Sequence, residues 1–194
     1  MHGMRWLALF VCTGCVPVLE SGQKDAAWEA PENTWPMGEP PADLDDSGFD
    51  EGEIARDLRM LDQNGEEVSL WQFYGMVILL DISAEWCAPC RNLAEDTQET
   101  QDHYEDQGFI YVTLLGEDNN GDTPVSEEVL DLWAEDFGLT TPVLSDMVDH
   151  RPELVGYPTS SYPRVLVIDR TMTVAVDNII PQDSEVRAAI ESVL

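Results

Sequence analysis

Two cysteines separated by two residues, Cys87 and Cys90, are the residues of this 194-residue chain whose types and spacing most clearly indicate chemistry. Three positions along a helix place both thiols on one face, close enough to form a small disulfide. A helical pattern begins at Ala88, so Cys87 lies at a helix N-terminus, where unpaired N–H groups and the helix dipole favour a thiolate. The spacing therefore predicts a redox pair in which Cys87 is the nucleophile and Cys90 resolves the mixed disulfide.

The remaining two cysteines, Cys12 and Cys15, lie at the extreme N-terminus and do not suggest a disulfide framework with the first pair. A structural zinc site requires four ligands, but the three histidines, His2, His103 and His150, are scattered. We therefore interpret the central pair as redox-active rather than metal-binding, and we predict neither a metal nor a cofactor.

The charge of the chain narrows the choice of partners. The sequence contains 39 acidic and 9 basic residues, which give a formal net charge of −30 at pH 7. Nucleic acid phosphates would be repelled, and electrostatic attraction to anionic lipid is disfavoured. Hydrophobic residues make up 43% of the chain, which is enough for a buried core. We expect a solvated acidic surface around one folded domain, and no nucleic acid partner.

Residues 1–15 have the pattern of an export signal, with Arg5 before the apolar run Trp6–Val11. The run is too short to span a bilayer. Two small residues precede Cys15. Residues 1–15 thus resemble a bacterial lipoprotein signal, in which the cysteine after the cleavage site is lipidated. Cys12 stands where that motif prefers an aliphatic residue, so a plain secretory signal is the alternative. The prediction is a periplasm-facing protein of the bacterial envelope, anchored only by lipid at Cys15.

Composition divides the rest of the chain into two parts. Residues 16–52 are rich in Pro, Gly and acidic residues and lack apolar periodicity, which predicts an acidic disordered tether. Residues 53–194 contain the apolar runs, which predict one folded domain.

The order of elements in that domain indicates an α/β fold. A hairpin is predicted between Leu58 and Val68, and the apolar runs Met76–Ile82 and Phe109–Leu115 have the length of buried strands. A helix over about Ala88–Gln107 joins these two strands, so they should be parallel in a right-handed βαβ unit.

The second half of the domain is predicted to add a helix from the Ser126 N-cap to Phe137 and a short edge strand at Pro142–Leu144. Arg164–Asp169 and Thr173–Asp177 should form an antiparallel hairpin. A last helix is expected after Ser184 as its N-cap.

The motif Trp86-Cys87-Ala88-Pro89-Cys90, the acid Asp81 six residues before it and the late Pro163 followed by an apolar strand together resemble the thioredoxin fold. Within that fold the chain is similar to the TlpA/ResA-like thiol–disulfide oxidoreductases, which are related to the AhpC/TSA redoxins. The resemblance covers about residues 54–194. It implies a thioredoxin-like three-layer fold, with a mixed central sheet flanked by helices and an N-terminal extension hairpin.

The resemblance also implies roles for residues around the cysteines. Asp81 is the candidate base that takes the proton of the resolving thiol. Trp86 would shield the site, and a cis bond between Tyr162 and Pro163 would present a backbone edge to a substrate strand. Pro158 offers a second choice for the cis-proline. This chain departs from the family at Ile82-Ser83, where an aromatic pair is usual.

The predicted function is an exported thiol–disulfide oxidoreductase that exchanges disulfides with protein substrates, with a membrane electron donor upstream. A reductase is favoured because no histidine lies between the cysteines and Glu85 disfavours a thiolate, although Arg91 opposes this. One alternative is a thiol peroxidase, which would require a Thr where Ala84 stands. The other is a copper-binding assembly factor, whose relatives space their cysteines by three residues.

Overall fold

The computed structural model describes residues 28–145 and 161–194. The predicted signal at residues 1–15, with Cys12 and Cys15, and the alternative Pro158 lie outside the described residues. Within the described part, no helix is long and apolar enough to cross a membrane.

A seven-stranded mixed sheet forms the centre of the domain, in the order β2-β1-β5-β4-β3-β6-β7. β3 pairs in parallel with β4 and antiparallel with β6, and β4 pairs in parallel with β5. The strands are β1 Arg59–Asp62, β2 Glu67–Ser69, β3 Val77–Ser83, β4 Phe109–Leu115, β5 Val143–Ser145, β6 Arg164–Ile168 and β7 Val174–Val176. The predicted mixed α/β architecture is confirmed.

The two central strands are apolar along their length because both of their faces are covered. In β3 and β4 every residue is buried. Ile78 and Leu80 face a core beneath the N-terminal part of the chain, whereas Val77 and Leu79 face a core beneath helices. A strand that is solvated on neither face shows no period-two alternation, which explains why length and flanking turns were the useful signals.

Four α-helices contribute to the helical face of the sheet, namely α1 Ala88–Ala94, α2 Thr97–Tyr104, α3 Glu127–Phe137 and α4 Asp183–Glu191. The single helix predicted over Ala88–Gln107 is thus divided after Ala94, and a 3-10 turn follows α2. Asp96 and Thr97 are weak helix formers, and Asp96 becomes the N-cap of α2. Gly108 ends the segment with a φ of 73°, a conformation that favours glycine.

The position of one strand and the start of the last helix also differ from the sequence prediction. The strand expected at the sheet edge, β5, lies between β1 and β4, because the N-terminal hairpin pairs with its other side. The last helix begins at Asp183 with Gln182 as its N-cap, rather than after Ser184. Ser126 does cap α3 as expected, through a hydrogen bond from the Val129 amide.

The described part of the predicted tether, residues 28–52, packs against the sheet. Phe49 is buried in the core, and Trp28 and Trp35 pack against this core. The Trp35 indole donates a hydrogen bond to Asp62 at 2.7 Å, and the Trp28 indole donates one at 3.0 Å to a buried serine on β2. The aromatic residues supply apolar surface that the Pro- and acid-rich composition concealed.

Candidate active site

The two predicted redox cysteines form a disulfide where β3 gives way to α1. The sulfur atoms of Cys87 and Cys90 are 2.05 Å apart, and their Cα atoms are 5.2 Å apart. Cys87 is 3% exposed and Cys90 is fully buried, so Cys87 is the more accessible residue of the pair. The structure therefore brings the two thiols together as the spacing predicted.

The turn before α1 places Cys87 at the helix N-terminus. The Cys87 amide donates to the Ala84 carbonyl at 3.1 Å, which closes the turn after β3. Cys87 is the N-cap of α1, and its sulfur accepts a hydrogen bond from the Cys90 amide at 3.2 Å. A proline in the first turn, Pro89, costs no hydrogen bond there. This arrangement would stabilise a Cys87 thiolate after reduction through N–H donation and the helix dipole.

Trp86 stands exposed beside the disulfide, with 51% of its surface accessible. Its indole packs edge-to-face on Tyr162, with ring centroids 5.9 Å apart, and its Nε1 donates to Glu117 at 3.0 Å. An added Cβ on Gly116 would lie 2.5 Å from the Tyr162 hydroxyl oxygen, so the loop backbone approaches that ring closely. The three predicted neighbours of the cysteines, Trp86, Tyr162 and Pro163, thus include two aromatic rings in direct contact.

The loop after β4 is docked onto the cysteine turn by hydrogen bonds. The Glu85 amide donates to the Glu117 carbonyl at 2.9 Å, and the Glu85 carboxylate accepts from the amide and the side chain of Asn119. Two carboxylates, those of Glu85 and Glu117, therefore lie at the rim of the turn that leads into Cys87. Sequence reasoning missed Glu117 and Asn119, because a polar loop carries no periodic signal that would place it there.

Asp81 is fully buried on β3, on the face that carries the helices. Its register partners are Thr113 on β4 and Val165 on β6. The Ser83 hydroxyl donates to its Oδ1 at 2.7 Å and the Tyr111 hydroxyl donates to its Oδ2 at 3.4 Å. Burial raises the pKa of Asp81 to about 7, against a smaller opposing effect of these two hydrogen bonds. Such a carboxyl can exchange a proton near neutral pH.

Tyr111 responds to the same environment. Burial, and next the negative charge of Asp81, raise the pKa of the Tyr111 phenol well above its usual range. The phenol therefore stays protonated and available as a donor. The sequence offered no signal for this contact, because Tyr111 reads only as one residue of an apolar strand.

The peptide bond between Tyr162 and Pro163 is cis, as expected from the resemblance. Arg164 follows directly and anchors the start of β6. Its Nε and Nη2 donate to the two carboxylate oxygens of Asp177 at 3.0 and 2.9 Å, and Nη2 also donates to the Phe49 carbonyl. A buried, bidentate pair of this kind holds its guanidinium in one orientation. It ties the proline edge to the N-terminal segment.

Arg91, next to Cys90 in sequence, extends toward α3. Its guanidinium lies over the rings of Trp133 and Phe137, 5.5 and 5.1 Å from their centroids, and forms an ion pair with Asp136 at 3.6 Å. These contacts engage its charge on α3. From the sequence we expected Arg91 to favour a Cys87 thiolate. The contacts described for its guanidinium are instead with residues of α3.

The described residues contain no group of three or more His, Cys, Asp or Glu side chains that could hold a metal ion. The structure shows a disulfide at the N-terminus of a helix, and Tyr162, whose ring contacts Trp86, packs against the apolar cluster that contains both cysteines. The chemistry of such a disulfide is thiol–disulfide exchange.

Comparison with known proteins places this chemistry in a family. The family model described as the AhpC/TSA family matches residues 52–176. The thioredoxin-like protein YneN of Bacillus subtilis (strain 168) is 29% identical over 122 residues, which cover 63% of this chain and 67% of that protein.

Solved structures share the fold. A thioredoxin domain of a thiol-disulfide oxidoreductase from Bacteroides vulgatus superposes with a TM-score of 0.64 at 19% identity, over 76% of this chain and 100% of that one. A putative thiol:disulfide interchange protein DsbE from Chlorobium tepidum gives a TM-score of 0.58 at 23% identity, over 74% of this chain and 99% of that one.

Fold and disulfide together define a thioredoxin-fold redoxin, a protein-disulfide oxidoreductase of the thioredoxin-like kind. The family match extends over more than half of the sequence, from residue 52 to the end of β7. The chain belongs to the AhpC/TSA family.

Proposed function

We propose that this protein is an exported reductase of protein disulfides, with Cys87 and Cys90 as its redox pair. The observation that carries the proposal is the Cys87–Cys90 disulfide at the N-terminus of α1, with Cys87 as the more accessible residue of the pair. Two similar proteins, a thiol-disulfide oxidoreductase and a putative thiol:disulfide interchange protein, support protein thiols as the partners.

The exchange proceeds in two balanced steps from the reduced protein. The Cys87 thiolate attacks one sulfur of a substrate disulfide, forming a mixed disulfide and releasing the other substrate sulfur as a thiolate that takes a proton. The Cys90 thiolate then attacks the Cys87 sulfur, closing the internal disulfide and releasing the second substrate thiol. Two electrons pass to the substrate, and a thiol-containing membrane donor would restore the reduced pair.

Asp81 is proposed to take the proton from Cys90 in the second step, directly or through water. A carboxyl with a pKa near 7 is an effective base at neutral pH because it is partly ionised and still able to bind a proton. Trp86, Tyr162 and Pro163 are proposed to receive the substrate segment, with the Tyr162–Pro163 backbone as its strand-like edge.

The charges near Cys87 favour electron flow toward the substrate. The carboxylates of Glu85 and Glu117 lie at the rim, while Arg91 is engaged by Asp136 and two aromatic rings. Negative charge raises the free energy of a thiolate, and a less stable thiolate form makes the dithiol a stronger reductant. We therefore infer a reductase rather than an oxidase.

The reduction potential of the pair tests this direction. We expect a value near those of thioredoxin-type reductants, roughly −250 mV or lower, measured by equilibration with glutathione or dithiothreitol buffers. A potential of about −120 mV, in the range of strong periplasmic oxidants, would contradict the reductase proposal. Consumption of hydrogen peroxide faster than reduction of insulin disulfides would instead favour a thiol peroxidase.

Export and lipid anchoring at Cys15 are part of the proposal and rest on the sequence of residues 1–15. Expression of the full chain in a bacterium with labelled palmitate tests them. Label on the protein that is lost in Cys15→Ser supports the anchor. Unlabelled protein in the soluble periplasmic fraction would support a plain secretory signal instead.

A further inference from the structure

The buried carboxyl of Asp81 is held by hydroxyl groups, one on each of its oxygens. We propose that Ser83 and Tyr111 form a hydroxyl cradle that lets Asp81 alternate between its protonated and ionised forms, and that this cradle sets the pH at which the cysteine pair turns over. The inference rests on the proposed role of Asp81 as the base for Cys90. It assigns Ser83 and Tyr111 as positioning residues.

The geometry of the cradle follows from the sheet. Ser83 lies two residues after Asp81 on β3, so both side chains point to the same face, and the hydroxyl reaches Oδ1 at 2.7 Å. Tyr111 comes from the neighbouring parallel strand β4 and reaches Oδ2 at 3.4 Å. All three residues are 1% exposed or less. In that setting a lost hydrogen bond is costly, because water does not replace it.

Hydroxyl partners differ from N–H partners in one respect that matters here. A hydroxyl can donate to a carboxylate and can also accept from a protonated carboxyl, whereas an N–H group can only donate. When Asp81 binds a proton, its own O–H can turn toward the oxygen of Ser83 or Tyr111. The bound proton therefore has an acceptor within the cradle, and the hydroxyl that accepts it turns its own proton to another partner, as Tyr111 can toward the Thr97 side chain.

Another buried carboxylate of the same chain shows the contrast. Asp62 is also fully buried, but its carboxylate accepts from the amides of Asn64 and Glu66 and from the Trp35 indole, all N–H donors. Such groups can donate to a carboxyl group but cannot accept from its O–H, which suits a structural turn. Asp81 thus has the partners expected of a group that changes its protonation state.

The elements packed on the Asp81 face of the sheet carry both apolar and titratable side chains. β6 contributes the apolar Val165. The titratable or charged groups on the elements of this face include Tyr111 on β4, Cys90 on α1 once reduced, Asp96 at the junction of α1 and α2, and further groups on the helices, namely Arg91 on α1, Glu99, Asp102, His103 and Tyr104 on α2, and Asp183, Glu185, Arg187 and Glu191 on α4. Asp96 acts electrostatically on Tyr111, and Tyr104 donates to Glu191. The hydrogen bonds described for the Asp81 carboxyl come from Ser83 and Tyr111.

The cradle includes the position at which this chain departs from its family resemblance, since Ser83 occupies a place where an aromatic residue is usual. Each cradle hydrogen bond lowers the pKa of Asp81 against the larger effect of burial. Ser83 would therefore keep the base active at a lower pH than an apolar residue would.

The test is a titration of the Asp81 side-chain carbon by NMR in the reduced full chain, with the resonance assigned by its loss in Asp81→Asn. Ser83→Ala and Tyr111→Phe should each move the midpoint about one pH unit to the alkaline side, because each removes a hydrogen bond to the ionised form. Ser83→Thr, which keeps the hydroxyl, should restore the wild-type midpoint. The pH profile of single-turnover disulfide reduction should move in parallel.

Thr113→Val is the matched control, since Thr113 is the register partner of Asp81 on β4 and is equally buried. Its midpoint should equal that of the wild type. Unchanged midpoints in both Ser83→Ala and Tyr111→Phe, or a Ser83→Thr midpoint as alkaline as that of Ser83→Ala, would overturn the cradle. The titration does not depend on turnover, so shifted midpoints in a protein that reduces no disulfide would sustain the cradle while the proposed function fails.

Discussion

At the scale of single residues, the proposed chemistry belongs to Cys87, Cys90 and Asp81. The cysteine pair could be predicted from its spacing and from the helix that follows, because both are local properties of the chain. Asp81 could be singled out as an acid within an apolar strand. Its hydroxyl partners could not, because Tyr111 lies thirty residues away and meets Asp81 only when β3 and β4 pair.

The raised pKa of Asp81 has a consequence for stability. In the unfolded chain this carboxyl ionises near pH 4, and in the folded protein near pH 7. Between those values the folded state binds the extra proton, so the free energy of unfolding falls as pH rises through this window. The contribution of Asp81 is favourable below about pH 4 and is lost by about pH 7.

Asp81→Asn should remove that dependence. At pH 8 we expect the free energy of unfolding of the variant to exceed that of the wild type by on the order of a few kcal/mol. At pH 4 the two values should be nearly equal. Urea unfolding at both pH values measures this difference. An equal effect of the substitution at pH 4 and pH 8 would contradict the raised pKa.

At the scale of elements, the βαβ unit from β3 to β4 was predictable because strand, helix and strand follow one another in sequence. The division of its helix after Ala94 was not, since Asp96 and Thr97 only weakly oppose a continuous helix. The place of β5 inside the sheet depends on pairing with β1, eighty residues earlier. Long-range pairing of this kind leaves no local pattern.

The loop after β4 provides a test at this scale. In Gly116→Ala the new methyl group would lie 2.5 Å from the Tyr162 hydroxyl oxygen, so the ring should shift away from Trp86. The displaced atom is the end of a flexible side chain, and the stability cost should stay near 1 kcal/mol or less. We expect a several-fold loss of insulin-reduction rate with little change in melting temperature.

Removal of the clashing atom should reverse this effect. The double variant Gly116→Ala with Tyr162→Phe removes the atom at 2.5 Å, leaves ring carbons at 3.2 and 3.3 Å from the methyl group, and should recover part of the rate lost by Gly116→Ala alone. A double-mutant cycle on kcat/KM measures the coupling between the two positions. Strict additivity of the two substitutions would show that the loop does not position Tyr162.

At the scale of the whole molecule, the N-terminal segment and the acidic charge describe the protein beyond its site. The composition of residues 16–52 predicted disorder, yet residues 28–52 contribute buried aromatic surface and hydrogen bonds to the domain. A composition average dilutes a few well-placed tryptophans among many prolines and acids. Arg164 binds the Phe49 carbonyl beside the proline edge, which connects this segment to the site.

Two truncated chains test the contribution of that segment. A chain of residues 28–194 should unfold at a clearly higher urea concentration than one of residues 54–194, because the shorter chain leaves the core around Phe49 exposed and Asp62 without its indole donor. Chemical denaturation at pH 7 measures the midpoints. Equal midpoints would restore the interpretation of residues 28–52 as a tether.

Trapping of the mixed disulfide distinguishes the attacking cysteine from the resolving one. We expect Cys87 to attack the substrate disulfide and Cys90 to resolve the product. Reduced Cys90→Ala should accumulate a covalent complex with an insulin chain or another disulfide substrate, visible by intact mass, whereas Cys87→Ala should accumulate none. The mass of the complex should disappear with dithiothreitol. A complex that forms through Cys90 in Cys87→Ala, at the same rate as in the Cys90→Ala protein, would contradict the assignment of the nucleophile.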